Sequence, residues 1–518
     1  MISGRLLLAV AVLAAIACGP AAAAPQAQLA ASEHALVAVE AGAPGVEPLL
    51  RRAGGRPLSP ELGLWLLRGR DAARVVAPLE RMGALRFAER SRRRDAAVRF
   101  TDPLATPGVA YHFALIGADR AEPPGPGFPI TVLDSGIDLG NPDFAGRADT
   151  FTLNPQAVAS TEPEEYHGTE IAAVAAAPVN AFGAEGVYPA AVVRSYDLGG
   201  DFTDAAIIVA IRAAVAAGPS VINISLAGPG ESRALCEEIA RAVGLGSLVV
   251  ASSGNDLRAG NPVNYPAACP HVLTVGSVDR AGSPSSFSSA NAAVDLVAPG
   301  ERLPVALPDG SGRLVSGTSF AAPVVAAVAA WVRTVRGAMH HTQLFDLMRS
   351  SARDVAQPGF DVRTGFGIVD VPRALAAPLP SVDPQEPNDD VRHVVANGLF
   401  PRAKPLVSAR FRARLDFTED PDDVYRVSVP PNRQLTVTVT PDDDVRVALY
   451  APTARTVLRP HGLLALSDRP GRSAERVAWA NRTKRGVVVF LHVTTTPRAV
   501  TGTPLYTVTL ARGPLPRR

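Results

Sequence analysis

The chain has 518 residues, of which 47% are hydrophobic and 19% charged, with a net charge of +2. That length exceeds one compact core and predicts two or three domains, while the composition excludes a disordered chain. The near-neutral balance leaves no electrostatic footprint for nucleic acid or for an acidic partner.

Residues 1–24 carry Arg5, an apolar core and a run of alanines, which together predict a secretory signal peptide too short to cross a bilayer comfortably. Cys18 follows the apolar core in AIAC, loosely resembling a bacterial lipoprotein box with alanine where leucine is usual; cleavage after the alanine run is the preferred reading. Without the leader, Cys236 and Cys269 remain, compatible with one disulfide or with two separate buried thiols. No later segment predicts a transmembrane span, because the apolar run from Ala321 to Val332 is short and stops at Arg333.

Within a propeptide-like region at 25–100, residues 34–90 read as β-α-β-α-β: HALVAVEA, GVEPLLRRAGG, LGLWLLRG, DAARVVAPLERMGA and LRFAER. A small α+β unit between a leader and a larger domain suggests a propeptide. The tract RSRRR at 90–94 reads equally as a processing site or a solvated basic loop. Within the next domain, 101–378, the pattern from 128 to about 375 alternates strands and helices. PITVLD, VVRSYD, SVINISL, SLVVASS and VLTVGSV are continuous apolar runs separated by segments with helical spacing. Such runs suit strands buried on both faces, so the fold class is α/β, a mostly parallel sheet with helices on both sides. Ligands bind such sheets beyond the carboxyl ends of the strands. From 379 to 518 the helices stop, and FRARLDF, DVYRVSV, QLTVTVT, VRVALY, VVVFLHVTT and LYTVTLA alternate apolar with polar, predicting an all-β sandwich.

The stretch VSGTSFAAPVV at 315–325 keeps everything around Ser319 small. Serine there is either a helix cap or a nucleophile that must be approached closely. A nucleophile needs a base, a group that orients the base, and donors for an oxyanion. Asp134 ends an apolar strand in PITVLDSGID, His167 opens an alanine-rich helix in YHGTEIAAVAAAP, and Asn255 follows a buried strand in SLVVASSGND. Singly, each is also an ordinary turn or cap residue. The other histidines lack comparable framing. Jointly, in the order Asp134, His167, Asn255, Ser319, they fall at strand ends and helix starts of one domain.

On these motifs, DSGID, HGTEIA, SSGN and SGTSFAAP, residues 128–375 resemble the subtilisin-like serine proteases, the subtilase family. The resemblance implies a serine endopeptidase with Asp134, His167 and Ser319 as its catalytic triad and Asn255 at its oxyanion hole. It also implies one wall of the substrate side-chain pocket from Ser225, Leu226, Ala227 and Gly228, and the opposite wall from Ser252, Ser253 and Gly254. Peptide added alongside a strand favours polypeptide substrates over small esters. The α/β-hydrolase esterases are disfavoured, since GTSFA lacks the second glycine of their motif. Glu170, Ala175, Asn141 and Ala227 depart from the family pattern without removing a catalytic group. The resemblance implies no cofactor for the chemistry and a structural Ca²⁺ in many members; Asp138 and Asp143 are candidate oxygen ligands, read here as surface charges. Residues 34–94 look like the family's inhibitory propeptide. EPNDD at 386–390 with DDVYRVSVP resembles the bacterial pre-peptidase C-terminal domain. Two other readings stay open: a catalytically silent exported binding protein, and a sedolisin-type acid peptidase, against which HGT and SSGN speak.

Overall fold

The computed structural model of the protein describes residues 29–91, 102–157, 159–162, 165–307, 309, 311–383, 385–395, 405–406, 410–459, 461–499 and 503–516. The predicted leader, Cys18 and Arg92 to Arg94 of the basic tract lie outside these residues. The chain divides into two units, Met1–Ala97 and Val98–Arg518.

In the first unit, β1 (His34–Val39), α1 (Val46–Arg52), β2 (Arg56–Ser59), β3 (Leu64–Arg68), α2 (Gly69–Arg81) and β4 (Leu85–Arg90) form an α+β fold. Its antiparallel sheet has the order β2-β3-β1-β4. Ala72, Val75, Val76 and Leu79 share the buried face of α2 and pack with Leu50, Trp65 and Leu67. Sequence periodicity misses β2. It is a four-residue strand whose pairing shifts register around Pro57.

The second unit is built on a seven-stranded sheet. Its elements in chain order are α3 (Tyr111–Ile116), β5 (Ile130–Asp134), β6 (Thr150–Thr152), α4 (His167–Ala176), β7 (Val193–Asp197), α5 (Asp204–Ala216) and β8 (Val221–Ile224). There follow β9 (Gly228–Pro229), α6 (Arg233–Gly244), β10 (Leu248–Ser252), β11 (Asn264–Tyr265), β12 (Val272–Val278), β13 (Leu296–Pro299), β14 (Leu303–Ala306), β15 (Gly312–Val315), α7 (Thr318–Arg336), α8 (His341–Ser350) and α9 (Val371–Ala376). The order β13-β12-β10-β8-β5-β7-β6 is parallel at every pairing. Successive strand residues feed opposite faces. Val132, Leu248 and Val250 join one core with α4 and α7, whereas Leu133, Val249 and Ala251 join another with α5 and α6. This two-faced burial explains the unbroken apolar runs. The chain leaves β5 toward β7 on one side and returns to β8 on the other, so the crevice outside their carboxyl ends is a topological switch point.

After α10 (Val391–Val394), eight strands form two antiparallel four-stranded sheets. They are β16 (Arg410–Arg414), β17 (Asp422–Val429), β18 (Arg433–Pro441), β19 (Val445–Tyr450), β20 (Leu463–Ser467), β21 (Glu475–Asn481), β22 (Val487–Thr495) and β23 (Leu505–Pro514). Alternate residues such as Val427, Val429, Val437, Val439, Leu491 and Val493 fill one core between the sheets. Strands β20 and β21 go beyond the six segments read as strands from the sequence. Cys236 and Cys269 are joined by a disulfide, which closes the alternative left open above.

Candidate active site

Asp134, the last residue of β5, is fully buried, and its carboxylate accepts from the Ser135 amide at 2.8 Å. His167 is the first residue of α4 and its Nδ1 lies 2.8 Å from Asp134 Oδ1 and 3.0 Å from Oδ2. A carboxylate only accepts, so Nδ1 carries the proton and Nε2 keeps its lone pair. Gly168 makes this approach feasible. A Cβ there would lie 2.2 Å from the Gly136 carbonyl oxygen, and Gly136 itself turns at φ +84°. Burial alone would lower the His167 pKa, but the Asp134 charge and hydrogen bond, with Glu170 adding to them, hold it above the ordinary histidine value; Arg313 opposes the rise. The Phe320 ring meets the imidazole edge-on at 5.5 Å between centroids.

Ser319 is the second residue of α7, where the first amides have no intrahelical acceptor. The proline four residues on has a local consequence. Pro323 has no N–H to give the Ser319 carbonyl, so that carbonyl instead accepts from Ser225 Oγ at 2.7 Å. The Ser225 hydroxyl is in turn held by Asn223 Nδ2 at 2.9 Å. The Ser319 hydroxyl donates to the Ser225 carbonyl at 3.1 Å, not to His167, although both side chains face one cleft.

Asn255 is oriented by a residue that sequence reading did not single out. Thr318 donates to Asn255 Oδ1 through its backbone N–H at 2.9 Å and through its hydroxyl at 3.1 Å, and its hydroxyl oxygen accepts from the Gly254 amide at 3.2 Å. With Oδ1 engaged twice, the amide NH₂ is the end left for the cleft. The threonine of SGTS was the available signal. Glu170, the departure from the family motif, is buried and pairs with Arg313 of β15 at 3.0 Å; burial raises its carboxyl while Arg313 and His167 pull it down.

The cleft, about 660 Å³, is lined by His167, Asn255, Thr318 and Ser319, with Ser225, Leu226 and Ala227 and with Ser252 and Gly254 from the two expected walls. Gly228 and Ser253 are not among its lining residues. Gly228 is drawn into the β9–β11 pairing opposite Tyr265, and the Ser253 hydroxyl turns inward to the Ser289 carbonyl at 3.3 Å. Glu165, Asp197 and Asp256 also line the cleft, and among the described residues no lysine or arginine does. Asp143 is not a surface charge: it is 1% exposed, its Oδ2 has no partner among the described residues, and burial raises its pKa to about 7. Such an oxygen suits a proton or a hard cation. Asp138 is spoken for by the Gly140 amide and the Tyr166 hydroxyl.

Comparison with known proteins gives a consistent picture. The sequence model described as "Subtilase family" matches residues 125–367. Subtilisin of Bacillus pumilus is 34% identical over 250 residues, covering 47% of this chain and 90% of that protein. Subtilisin DY of Bacillus licheniformis is 30% identical over 274 residues, covering 51% and 98%. Subtilisin E of Bacillus subtilis (strain 168) is 34% identical over 250 residues, but the match spans only 65% of its length. Among solved structures, the psychrophilic subtilisin-like protease Apa1 from the Antarctic psychrotroph Pseudoalteromonas sp. AS-11 aligns with 51% of this chain and 97% of its own at 16% identity and a TM-score of 0.45.

Proposed function

Since the chain belongs to the subtilase family, we propose that it is an exported serine endopeptidase in which Asp134, His167 and Ser319 act as the triad and Asn255 serves the oxyanion. The observation that carries this reading is the Asp134–His167 contact at 2.8 Å, placed on the same cleft as Ser319 and Asn255. The Ser319 hydroxyl turns from the Ser225 carbonyl toward His167 Nε2, gives up its proton there and attacks the scissile carbonyl. His167 then returns that proton to the leaving amine. Asp134 holds the imidazole in one tautomer and stabilises it when protonated. The Ser319 N–H and the Asn255 amide bind the tetrahedral oxyanion, and Thr318 keeps that amide aimed.

Substrate is polypeptide bound along the segment after β8, with Ser225, Leu226 and Ala227 facing Ser252 and Gly254 around one side chain. The carboxylates of Glu165, Asp197 and Asp256 favour substrates that carry lysine or arginine near the scissile bond. The 25–100 region acts as an intramolecular inhibitor until it is removed. Family chemistry requires no cofactor; a structural Ca²⁺ would find Asp143 suited to it. Fluorophosphonate labelling tests the reading, because only an activated serine reacts. The secreted chain should label at Ser319 and Ser319→Ala should not; an unlabelled wild-type chain with its propeptide removed would favour a silent binding protein instead.

A further inference from the structure

The near-neutral charge of the whole chain conceals a segregation. Residues 101–378 carry 16 arginines against 27 aspartates and glutamates, whereas residues 379–518 carry 21 arginines and lysines against 14 acids, net charges of −11 and +7. The surface is more lopsided still. The peptidase region and the β-sandwich meet at a polar seam, where Arg349 of α8 lies 3.3 Å from Asp295 and 2.7 Å from Asp416. Seven of the 14 acids after residue 378 are buried, Glu386, Asp416 and Glu419 among them at this seam. Among the described residues after 378, Asp442 and Asp468 are the only exposed acids, against 14 exposed arginines and lysines. An acidic partner that net charge argues against is therefore one the sandwich surface admits.

The two sheets of the sandwich differ in what covers them. Outside the sheet β17-β22-β19-β20, Val424, Ala448, Tyr450 and Phe490 pack with Val391 and Val394 of α10. The sheet β16-β23-β18-β21 has no such cover among the described residues. Val437, Val439, Val477 and Val508 take its inward positions, so the residues between them face out. Register sets these in rows. Arg410 of β16 stands beside Thr509 of β23, then Thr438 of β18, then Arg476 of β21; Arg412, Thr507 and Thr440 form the next row. With strands about 4.8 Å apart, the backbones of Arg410 and Arg476 are about 14 Å apart across a floor of threonines. One end of this floor runs into Arg433 and the β21–β22 turn, where Arg482, Lys484 and Arg485 are exposed. None of these seven cations has an acidic partner among the described residues.

Guanidinium groups flanking a floor of hydroxyls match an acidic polysaccharide. Arginine gives one carboxylate two parallel N–H bonds, and a threonine hydroxyl both donates and accepts, as sugar hydroxyls do. A floor of threonine and alanine lets a chain of sugar rings lie along the strands between the two arginine-bearing edges. Nucleic acid fits this face less well. It offers no outward aromatic ring to stack a base and no helix or ribbon to enter a duplex groove. An anionic membrane would find one large apolar side chain to anchor, Leu505 at the end of the face. Arginines on the edge strands β16 and β21 also deter edge-to-edge pairing, but that role does not require the floor between them and the turn beside it to lack acids.

We propose that the outer face of β16-β23-β18-β21 binds an acidic polysaccharide, whose carboxylates pair with Arg410, Arg412 and Arg476 while its hydroxyls meet the threonine floor. The sandwich thereby tethers the peptidase region to an anionic glycan, and the negative charge of that region keeps the same glycan out of the cleft. The face takes no part in the cleft's chemistry, so the proposal stands apart from the protease reading.

The test uses the full chain with Ser319→Ala, which cannot digest itself, titrated with polygalacturonate near neutral pH and followed by calorimetry. Binding should be saturable at low salt and weaken by roughly tenfold or more at high salt, whereas uncharged dextran should not bind. The pair Arg410→Gln and Arg412→Gln should weaken polygalacturonate binding by roughly tenfold or more at an unchanged melting temperature. The single change Arg476→Gln, on the opposite edge, should weaken it in the same direction. A control of equal charge, Arg455→Gln with Arg459→Gln on the loop after β19, should bind like its parent. Equal losses from the two pairs would reduce the effect to diffuse charge and overturn the proposal. So would an absence of polygalacturonate binding, or tighter binding to duplex DNA or to phosphatidylglycerol vesicles at the same salt.

Discussion

Two aspartate–histidine contacts lie at opposite ends of the parallel strands, one past the end of β5 and one before the start of β12. Asp134 ends β5 and has His167 and a backbone amide as its partners, so its charge is balanced within a few residues of the cleft. Asp389 lies by the amino end of β12, shared by His271 and His393; burial would raise its carboxyl, but the two imidazoles hold it far below the usual range. Around Asp134 the carboxylate is matched by what surrounds it. Around Asp389 the acids outnumber the bases, and the excess is buried. The same pair of residue types therefore poises a proton in one place and leaves a region short of positive charge in the other.

The contrast is sharpest where the proposed chemistry is concentrated. Ser319→Ala should lower kcat by roughly 10⁶-fold, a magnitude established on subtilisin, read as loss of peptide hydrolysis with the melting temperature unchanged. Asn255→Ala should cost roughly 10²–10³ in kcat, again a subtilisin-derived scale, with KM little altered. At the seam, Arg349→Met would leave Asp295 and Asp416 buried without their cation and should lower unfolding free energy by about 3–5 kcal/mol, measured by denaturant titration, while cleft kinetics stay near the parent's. Thr318→Val removes one anchor of the Asn255 amide and should lower kcat by roughly tenfold, the scale of one hydrogen bond. The smallest effect is expected from Glu170→Gln. That residue is an anion favouring the His167 imidazolium, so its removal lowers the His167 pKa and shifts the acidic limb of kcat/KM toward lower pH. A limb that stays put, or moves upward, would show that Glu170 does not reach His167 electrostatically.

The cleft could be read from sequence because each of its groups lies in a short motif with its own backbone reason. Gly168 lets α4 approach the turn after Asp134, and Pro323 frees the Ser319 carbonyl for Ser225. The seam could not. Arg349 and Asp416, or His271 and Asp389, are far apart along the chain, and no local pattern marks one as the partner of the other. The sandwich was legible wherever alternation was clean. The edge strand β20 is largely unburied and β21 begins with the fully buried charged residue Glu475, so both blur the apolar rhythm that reveals a strand. Asp143 misled for a similar reason, since an aspartate in an Asn-Pro-Asp turn gives no sign that the fold will close over it.

The covalent link between Cys236 and Cys269 encloses a ring that contains β10 and Asn255. Within that ring Arg258, Ala259 and Gly260 are exposed at the end of a short turn. A backbone nick at that turn would leave both fragments tethered, so an enzyme surrounded by copies of itself could be cut there and still keep Asn255 attached. Reduction of the disulfide would remove that tether, so tolerance of a nick there would depend on an oxidising milieu.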